Sequence, residues 1–477
     1  MKLSQLRIKN FRCFTDLELE LNEQLTVLVA ENGQGKSALL DAIRIGLWPF
    51  VSSFDLARSA FNPPGNAIAI SDVRLVRLPN GDMARQLPTE VALTGDFGMG
   101  SSDTWVRYRD SEAKATKTKD DGDTSKMKNW SSAVQAQIRS PDKPTLDLPV
   151  FGYYGTGRLW AQKRLIEKPK GKDDTQDPDF YIRTFGYVNC LDPASSYKHF
   201  KEWFIWAYES LREQQINKME GRANDEELSA AQGRIRVVQQ AIDTFLKPIT
   251  GWHTLEYSIS REKSLILHHE DQGTLDVEQL SDGIRSVLAM VGDIAYRCIK
   301  LNPHMGVNAA RETIGVVMID EVDMHLHPRW QQVVLQQLQE AFPQVQFIVT
   351  THSPQVLSTI PAECIRILVS ELDEERDQQR IVVHPVTRQT QGVASSDLLA
   401  EIMGTDPLPN IEIVRQLSHY MALIQQDLES SDEANQLRSL LEVHYGKHHP
   451  HMLECDRLIR LQALKRRKHT RRNEEGR

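Results

Sequence analysis

Residues 30–40 read AENGQGKSALL. The glycine, lysine and hydroxyl of a phosphate-binding loop, G-x-x-x-x-G-K-[ST], stand here as Gly35, Lys36 and Ser37, but the first glycine position holds Ala30. The flanks give the motif its context. TVLVA (26–30) is a short apolar, β-rich run, and ALLDAIRIGLW (38–48) spaces its apolar residues as a helix does. A loop between a buried strand and a helix N-terminus presents backbone N–H groups to phosphate. Lys36 would reach the β- and γ-phosphates, and Ser37 would ligate Mg²⁺. At Ala30 a left-handed φ would cost about 1–2 kcal/mol. A negative φ, expected where the residue closes a strand, would cost little.

Three more stretches carry chemistry. VVMIDE (316–321) ends an apolar run in Asp320 and Glu321. A carboxylate at the end of a buried strand is costly unless something pairs with it. Asp320 can hold Mg²⁺, and Glu321 can polarise an attacking water. QLSDGIRSVLAM (279–290) places Ser281 and Gly283 at a helix start, where both residue types are also ordinary caps. His352, in VTTHSP (349–354), follows a second buried-strand run. Taken alone, such a histidine is more often structural than catalytic. His325 and His327 form a His-x-His near Asp323, but one loop supplies few convergent metal ligands.

The rest of the chain narrows the class. A net charge of −8 over 477 residues argues against a surface coated for nonspecific DNA binding. Five scattered cysteines without CxxC spacing suit a reducing compartment. The N-terminus lacks the apolar core of a signal peptide, and no stretch approaches the roughly 20 apolar residues that span a bilayer. The expectation is a soluble, cytoplasmic protein with no membrane partner. LSQLRI and LELEL alternate as strands do. Residues 110–128 and 168–179 are polar and read as loops, the first as a mobile one. Residues 197–247 read as a helical hairpin broken near 221–227, and helices are expected over 284–300 and 330–341. Apolar strands are expected to end near 370, leaving helices to the C-terminus.

In this order the P-loop, LSDG, IDE and TTHS segments resemble the motif set of ABC-type ATPases, and specifically the branch of the RecF, SMC and OLD heads. IKNFRCF (8–14) is similar to that branch's opening strand-turn, and EVDMHLHPRWQ (321–331) to its D-loop. The resemblance covers residues 1–165 and 250–370. It implies an α/β fold: an ABC-type P-loop ATPase head with a mixed central sheet, a short helical-hairpin insertion and a helical C-terminal region. The implied divisions are 1–165 and 251–370 for the two halves of the head, 166–250 for the insertion, and 371–477 for a partner-binding region. It also implies ATP and Mg²⁺ as cofactors. Asn32, Gly33, Gly35, Lys36, Ser37 and Ala38 would hold nucleotide, with Arg12 nearby. Ser37 and Asp320 would hold the metal, and Glu321, His352 and Lys36 would serve hydrolysis. Ser281 and Gly283 would contact ATP held by another copy of the chain. Departures are Ala30, Ile284 where glutamine is common, His327 at the D-loop aspartate position, and a missing Q-loop glutamine near Arg158.

The short insert, YYGTGR (153–158) and GVASSDLLAEIMGTD (392–406) resemble the Septu anti-phage ATPase family, PtuA, which also occurs in some retrons. That likeness implies head-to-head dimers, higher homo-oligomers and a partner HNH nuclease of the PtuB kind. Residues 371–477 show neither a D-x-D pair nor an HNH signature, so the nuclease is expected on a separate chain. Two other readings stand beside this one. One is a RecF-like ATPase clamping DNA, with the basic segment 457–472 touching phosphates. The other is a scaffold that binds ATP without turnover.

Overall fold

The structure is a computed structural model that describes residues 1–475 except 61–63, 97–101, 114–115, 158–177, 194–197, 223, 262 and 374–377. Strands β1 (Lys2–Phe11) and β2 (Phe14–Glu20) form a hairpin, followed by β3 (Leu25–Val29) and helix α1 (Lys36–Val51). A small hairpin, β4 (Leu75–Arg77) and β5 (Met83–Arg85), precedes β6 (Thr89–Asp96), β7 (Asp103–Arg109) and β8 (Lys119–Asp120). Helix α2 (Gly122–Ile138) leads to β9 (Val150–Tyr154). The insertion is the helix pair α3 (Lys198–Met219) and α4 (Asp225–Thr250). The three-stranded β10 (His253–Ser258), β11 (Ser264–His269) and β12 (Gly273–Asp276) introduce α5 (Asp282–Leu301). Then come β13 (Gly315–Ile319), α6 (Val334–Ala341), β14 (Val345–Thr350), β15 (Ile365–Asp373) and β16 (Gln378–Pro385).

Two sheets build the head. The central one has the order β16-β15-β3-β14-β13-β9, parallel except for the edge strand β16. Every residue of β3, β9, β13 and β14 is buried, as expected where a parallel sheet is covered on both faces. The second sheet, β2-β1-β6-β7-β8, is antiparallel. Its β1 buries Leu3, Leu6 and Ile8 and exposes Ser4, Arg7 and Lys9, the alternation of a strand with one wet face. Together they make an α/β head with a mixed central sheet. Among the described residues, no helix is long and apolar enough to cross a membrane.

Several sequence readings are corrected. Residues 110–128 are not one mobile loop: Asp120 pairs with Arg107 and Lys128, and Asp121 caps α2 by accepting from the Thr124 N–H at 2.7 Å. The strands do not end near 370. β16 pairs with β15 over Arg366–Asp373, and the first compact unit runs to Leu398. The helix expected over 330–341 is split at Val333, whose φ of −127° leaves the helical region. Residues 168–177 of the second polar segment, and Arg158, lie outside the described residues.

The second unit, Leu399–Arg477, is helical: α7 (Glu412–Gln425), α8 (Asp432–Tyr445) and α9 (Pro450–Glu475). They close on a core of Leu417, Tyr420, Ile424, Leu441, Met452 and Cys455. Arg438 ties α8 to α9 by reaching Asp456 at 2.6 Å while also holding Glu442 on its own helix.

Candidate active site

The site forms because three parallel strands end together. Leu28 of β3 pairs with Thr350 of β14, and Ile319 of β13 with Val349. The loop of residues 30–37, the Asp320–Glu321 pair and the segment holding His352 therefore leave the sheet along one edge. Crevices at the carboxyl ends of parallel strands are where open α/β sheets bind ligands.

Gly33 and Gly35 both take left-handed backbone, with φ of 87° and 88°. Gly35 precedes α1 as its cap. A Cβ there would stand 2.5 Å from the Phe14 ring and 2.7 Å from Cys13 Sγ. The IKNFRCF turn thus packs beneath the loop, and only glycine fits between them. Ala30 is buried at the end of β3, and its φ is not left-handed. The substitution therefore carries no backbone strain.

Lys36 is only 8% exposed, and its Nζ donates to the carbonyls of Ala30 at 2.9 Å and Glu31 at 3.2 Å. Burial lowers its pKa, while the carboxylates of Asp320, Glu321 and Asp323 act to raise it. Ser37 Oγ donates to Asp320 Oδ2 at 2.7 Å. The other oxygen of Asp320 accepts from Thr350 Oγ1 at 2.6 Å, and the same Thr350 oxygen accepts from the Glu321 N–H at 2.7 Å. Glu321 itself has a φ of +49°. That uncommon backbone follows Asp320 directly and is pinned by Thr350. Thr351 repeats the device one residue on, donating to Asp323 at 2.6 Å.

A hydroxyl and a buried carboxylate oxygen at 2.7 Å are the hard-oxygen pair that Mg²⁺ favours. With the two left-handed glycines, the lysine and the helix N-terminus, the residues fit a nucleotide triphosphate with its metal. Asn32 is exposed at the crown of the loop and Ala38 is buried in α1. Arg12 is held by Asp41 at 2.7 Å and Asp72 at 2.8 Å. Burial works against its charge, and Asp41 and Asp72 outweigh that effect and raise its pKa. Arg12 thus tethers α1 through Asp41, which Arg44 also reaches at 2.9 Å. His352 follows β14, partly buried.

Ser281 and Gly283 are placed differently. Ser281 is exposed at the head of α5, and its side chain makes no cap bond to its own helix. At Gly283 a Cβ would meet the His325 carbonyl oxygen at 2.8 Å, so the start of α5 sits against the turn after Glu321. The hydrogen bonds that join Ser37, Asp320, Thr350 and Glu321 do not include this pair. Sequence reasoning missed Thr350, Asp41 and Tyr153. The two threonines of VTTHSP were visible, but a hydroxyl's role at a strand end depends on which strand lies beside it. Tyr153 is buried next to Asp41 and Asp320, and burial first, then those carboxylates, push its pKa well up.

The sequence matches the AAA domain family over residues 5–248, and a second AAA domain model over residues 171–358. The chain belongs to the AAA domain family. It is an ATPase of that family, and two of its relatives match it nearly end to end. Retron Vc95 probable ATPase of Vibrio cholerae serotype O1 biovar El Tor is 26% identical, with 93% of this chain and 88% of that protein covered. Retron Ec83 probable ATPase of Escherichia coli is 24% identical, with 94% and 84% covered. Septu protein PtuA of Bacillus mycoides (strain KBAB4) is 38% identical over 101 residues, which is 21% of this chain and 13% of that one.

Proposed function

We propose that this AAA-family chain is the ATP-hydrolysing, regulatory subunit of an anti-phage defence complex, acting on a separate HNH nuclease. The observation that carries hydrolysis is the hydrogen-bonded chain Ser37–Asp320–Thr350–Glu321 beside the buried Lys36. The defence role is supported by the long matches to two retron ATPases and the shorter match to Septu PtuA.

Bound ATP and Mg²⁺ supply the phosphoanhydride and a Lewis acid. Lys36, now donating to the Ala30 and Glu31 carbonyls, would turn to phosphate oxygens, and Ser37 and Asp320 would hold the metal. Thr350 fixes both the Asp320 carboxylate and the Glu321 backbone, so that the Glu321 side chain can take a proton from water. His352 is assigned a supporting place on the same edge. Two heads pair so that Ser281 and Gly283 of one reach the nucleotide of the other. The exposed, uncapping Ser281 supports this arrangement. The helical unit from Leu399 is assigned to the nuclease. It leaves Val443 89% exposed, and Leu453 and Leu461 are also exposed on the neighbouring helix.

The test is affinity capture of the tagged chain from its native host, with and without ATP, followed by mass spectrometry and a cleavage assay. Capture of an HNH protein whose cleavage changes with ATP is expected. Capture of DNA-repair proteins alone, with no such nuclease, would reject the reading.

A further inference from the structure

Away from the sheet edge, the helical insertion and the far end of α5 line a cavity of about 880 Å³ that opens to solvent. That is the size of small-molecule sites, roughly 300–1,000 Å³. None of its lining residues belongs to the P-loop, the Asp320–Glu321 pair or the segment 280–283. Its walls combine two kinds of chemistry. Tyr181 is 51% exposed and lies edge-on to Trp206, with ring centroids 5.5 Å apart at 71°. The Arg234 guanidinium sits over the Trp206 ring at 5.2 Å.

Lys300, only 8% exposed, lies over the Phe180 ring at 5.3 Å and donates to the Phe180 carbonyl. An ammonium has three donors, and that carbonyl takes one. Among the described residues no carboxylate is paired with either Lys300 or Arg234. The two cations instead act on each other. Burial, with Arg234 adding to it, pushes the Lys300 pKa down to about 7. Arg183, also in the wall, is occupied by the carbonyls of Leu301 and Leu146 and by Asn302. The acids that reach the cavity, Asp225 and Glu226, are exposed in the first turn of α4, and Asp225 is paired with Lys218 at 3.3 Å. They sit in water, where screening weakens their opposition to an arriving anion.

A buried cation beside a half-buried one, with no carboxylate between them, is costly, and a ligand that carries the missing charge relieves it. We propose that this cavity is a second ligand site, one that takes a nucleotide through its phosphate at Arg234 and Lys300 and its base against Tyr181 and Trp206. The same chemistry is offered by a free nucleoside monophosphate and by the 5′-phosphorylated end of a single strand. The site is independent of the P-loop.

The experiment uses the full chain carrying Lys36→Ala, which removes the lysine from the first site, and follows tryptophan fluorescence. Adenosine monophosphate, a 5′-phosphorylated deoxyadenosine tetranucleotide, and adenosine are titrated in parallel. Saturable binding of either phosphorylated probe, weakened at least about tenfold by Arg234→Gln and by Lys300→Met, is expected. Tighter binding of the monophosphate identifies a free nucleotide as the source, and tighter binding of the tetranucleotide identifies a nucleic-acid end. Adenosine binding as well as the phosphorylated probes, no binding by any, or binding that neither substitution changes would overturn the proposal. ATP turnover by Arg234→Gln and Lys300→Met in the otherwise native chain reports on folding, and native rates are expected. If one variant loses turnover, the other decides.

Discussion

Lys36 and Lys300 are equally buried, each 8% exposed, yet their surroundings are opposite. Burial lowers the pKa of both. Around Lys36, Asp320, Glu321 and Asp323 work against that, so the cation stands in a nest of acids with two carbonyls as holding partners. Beside Lys300 stands Arg234, which adds to the effect of burial. The difference separates two ways in which a buried lysine meets an anion. The P-loop cation is balanced by carboxylates, two of which, Asp320 and Glu321, are proposed to serve the metal and the water. The cation at the end of α5 has no such balance and depends on what enters the cavity.

Removing the balanced lysine should have the largest effect. Lys36→Ala is expected to bring ATP turnover to background, a loss of at least about a thousandfold. It should also abolish nucleotide binding at the P-loop, read by phosphate release and by equilibrium binding. Retained turnover would break the comparison at its stronger half.

The unbalanced lysine makes a pH prediction. Its folded pKa of about 7 lies below its ordinary 10.5. Below about pH 7 both folded and unfolded chains hold the proton, and the folded state bears the full cost of the buried charge. Between those values the unfolded chain holds the proton and the folded chain does not, so stability rises with pH by up to about 1.4 kcal/mol per unit. Above the ordinary value the cost is gone. Lys300→Met should therefore stabilise the protein most near neutral and acidic pH, by about 5 kcal/mol at most. That advantage should shrink towards about pH 10. Urea unfolding of both proteins across this range checks it, and an advantage that does not change with pH contradicts the assignment.

A smaller effect is expected from Thr350→Val. The substitution keeps the shape and removes the hydroxyl that serves Asp320 and the Glu321 N–H. Leaving those groups unsatisfied costs about 1–3 kcal/mol, measured as a shift in the unfolding midpoint. Turnover should fall about tenfold while nucleotide affinity holds.

Much of the head was legible before the structure. TVLVA, VVMID and VQFIVT announced themselves as continuous apolar runs because a parallel sheet covered on both faces leaves no polar alternation to confuse them. Lys36, Ser37, Asp320 and Glu321 were legible because each sits at a fixed offset from one of those runs. Thr350 was not, because its role depends on β13 and β14 lying side by side, which no local pattern records. The helix starting at Gly122 was hidden in a polar stretch, since its support comes from Asp121 as a cap and from the pairing of Asp120 with Arg107 across the sheet. The cavity around Arg234 and Lys300 was invisible for the same reason. Residues more than sixty positions apart meet there only after α4 and α5 pack.

The most direct test of the central assignment is ATP turnover by Glu321→Gln, measured beside the native chain at matched nucleotide occupancy with Mg²⁺ present. The amide keeps the size of the side chain and cannot take a proton. Binding within about twofold of native, with turnover slowed by about a hundredfold or more, is the expected result. Native turnover at equal occupancy would contradict it and remove Glu321 from the reaction.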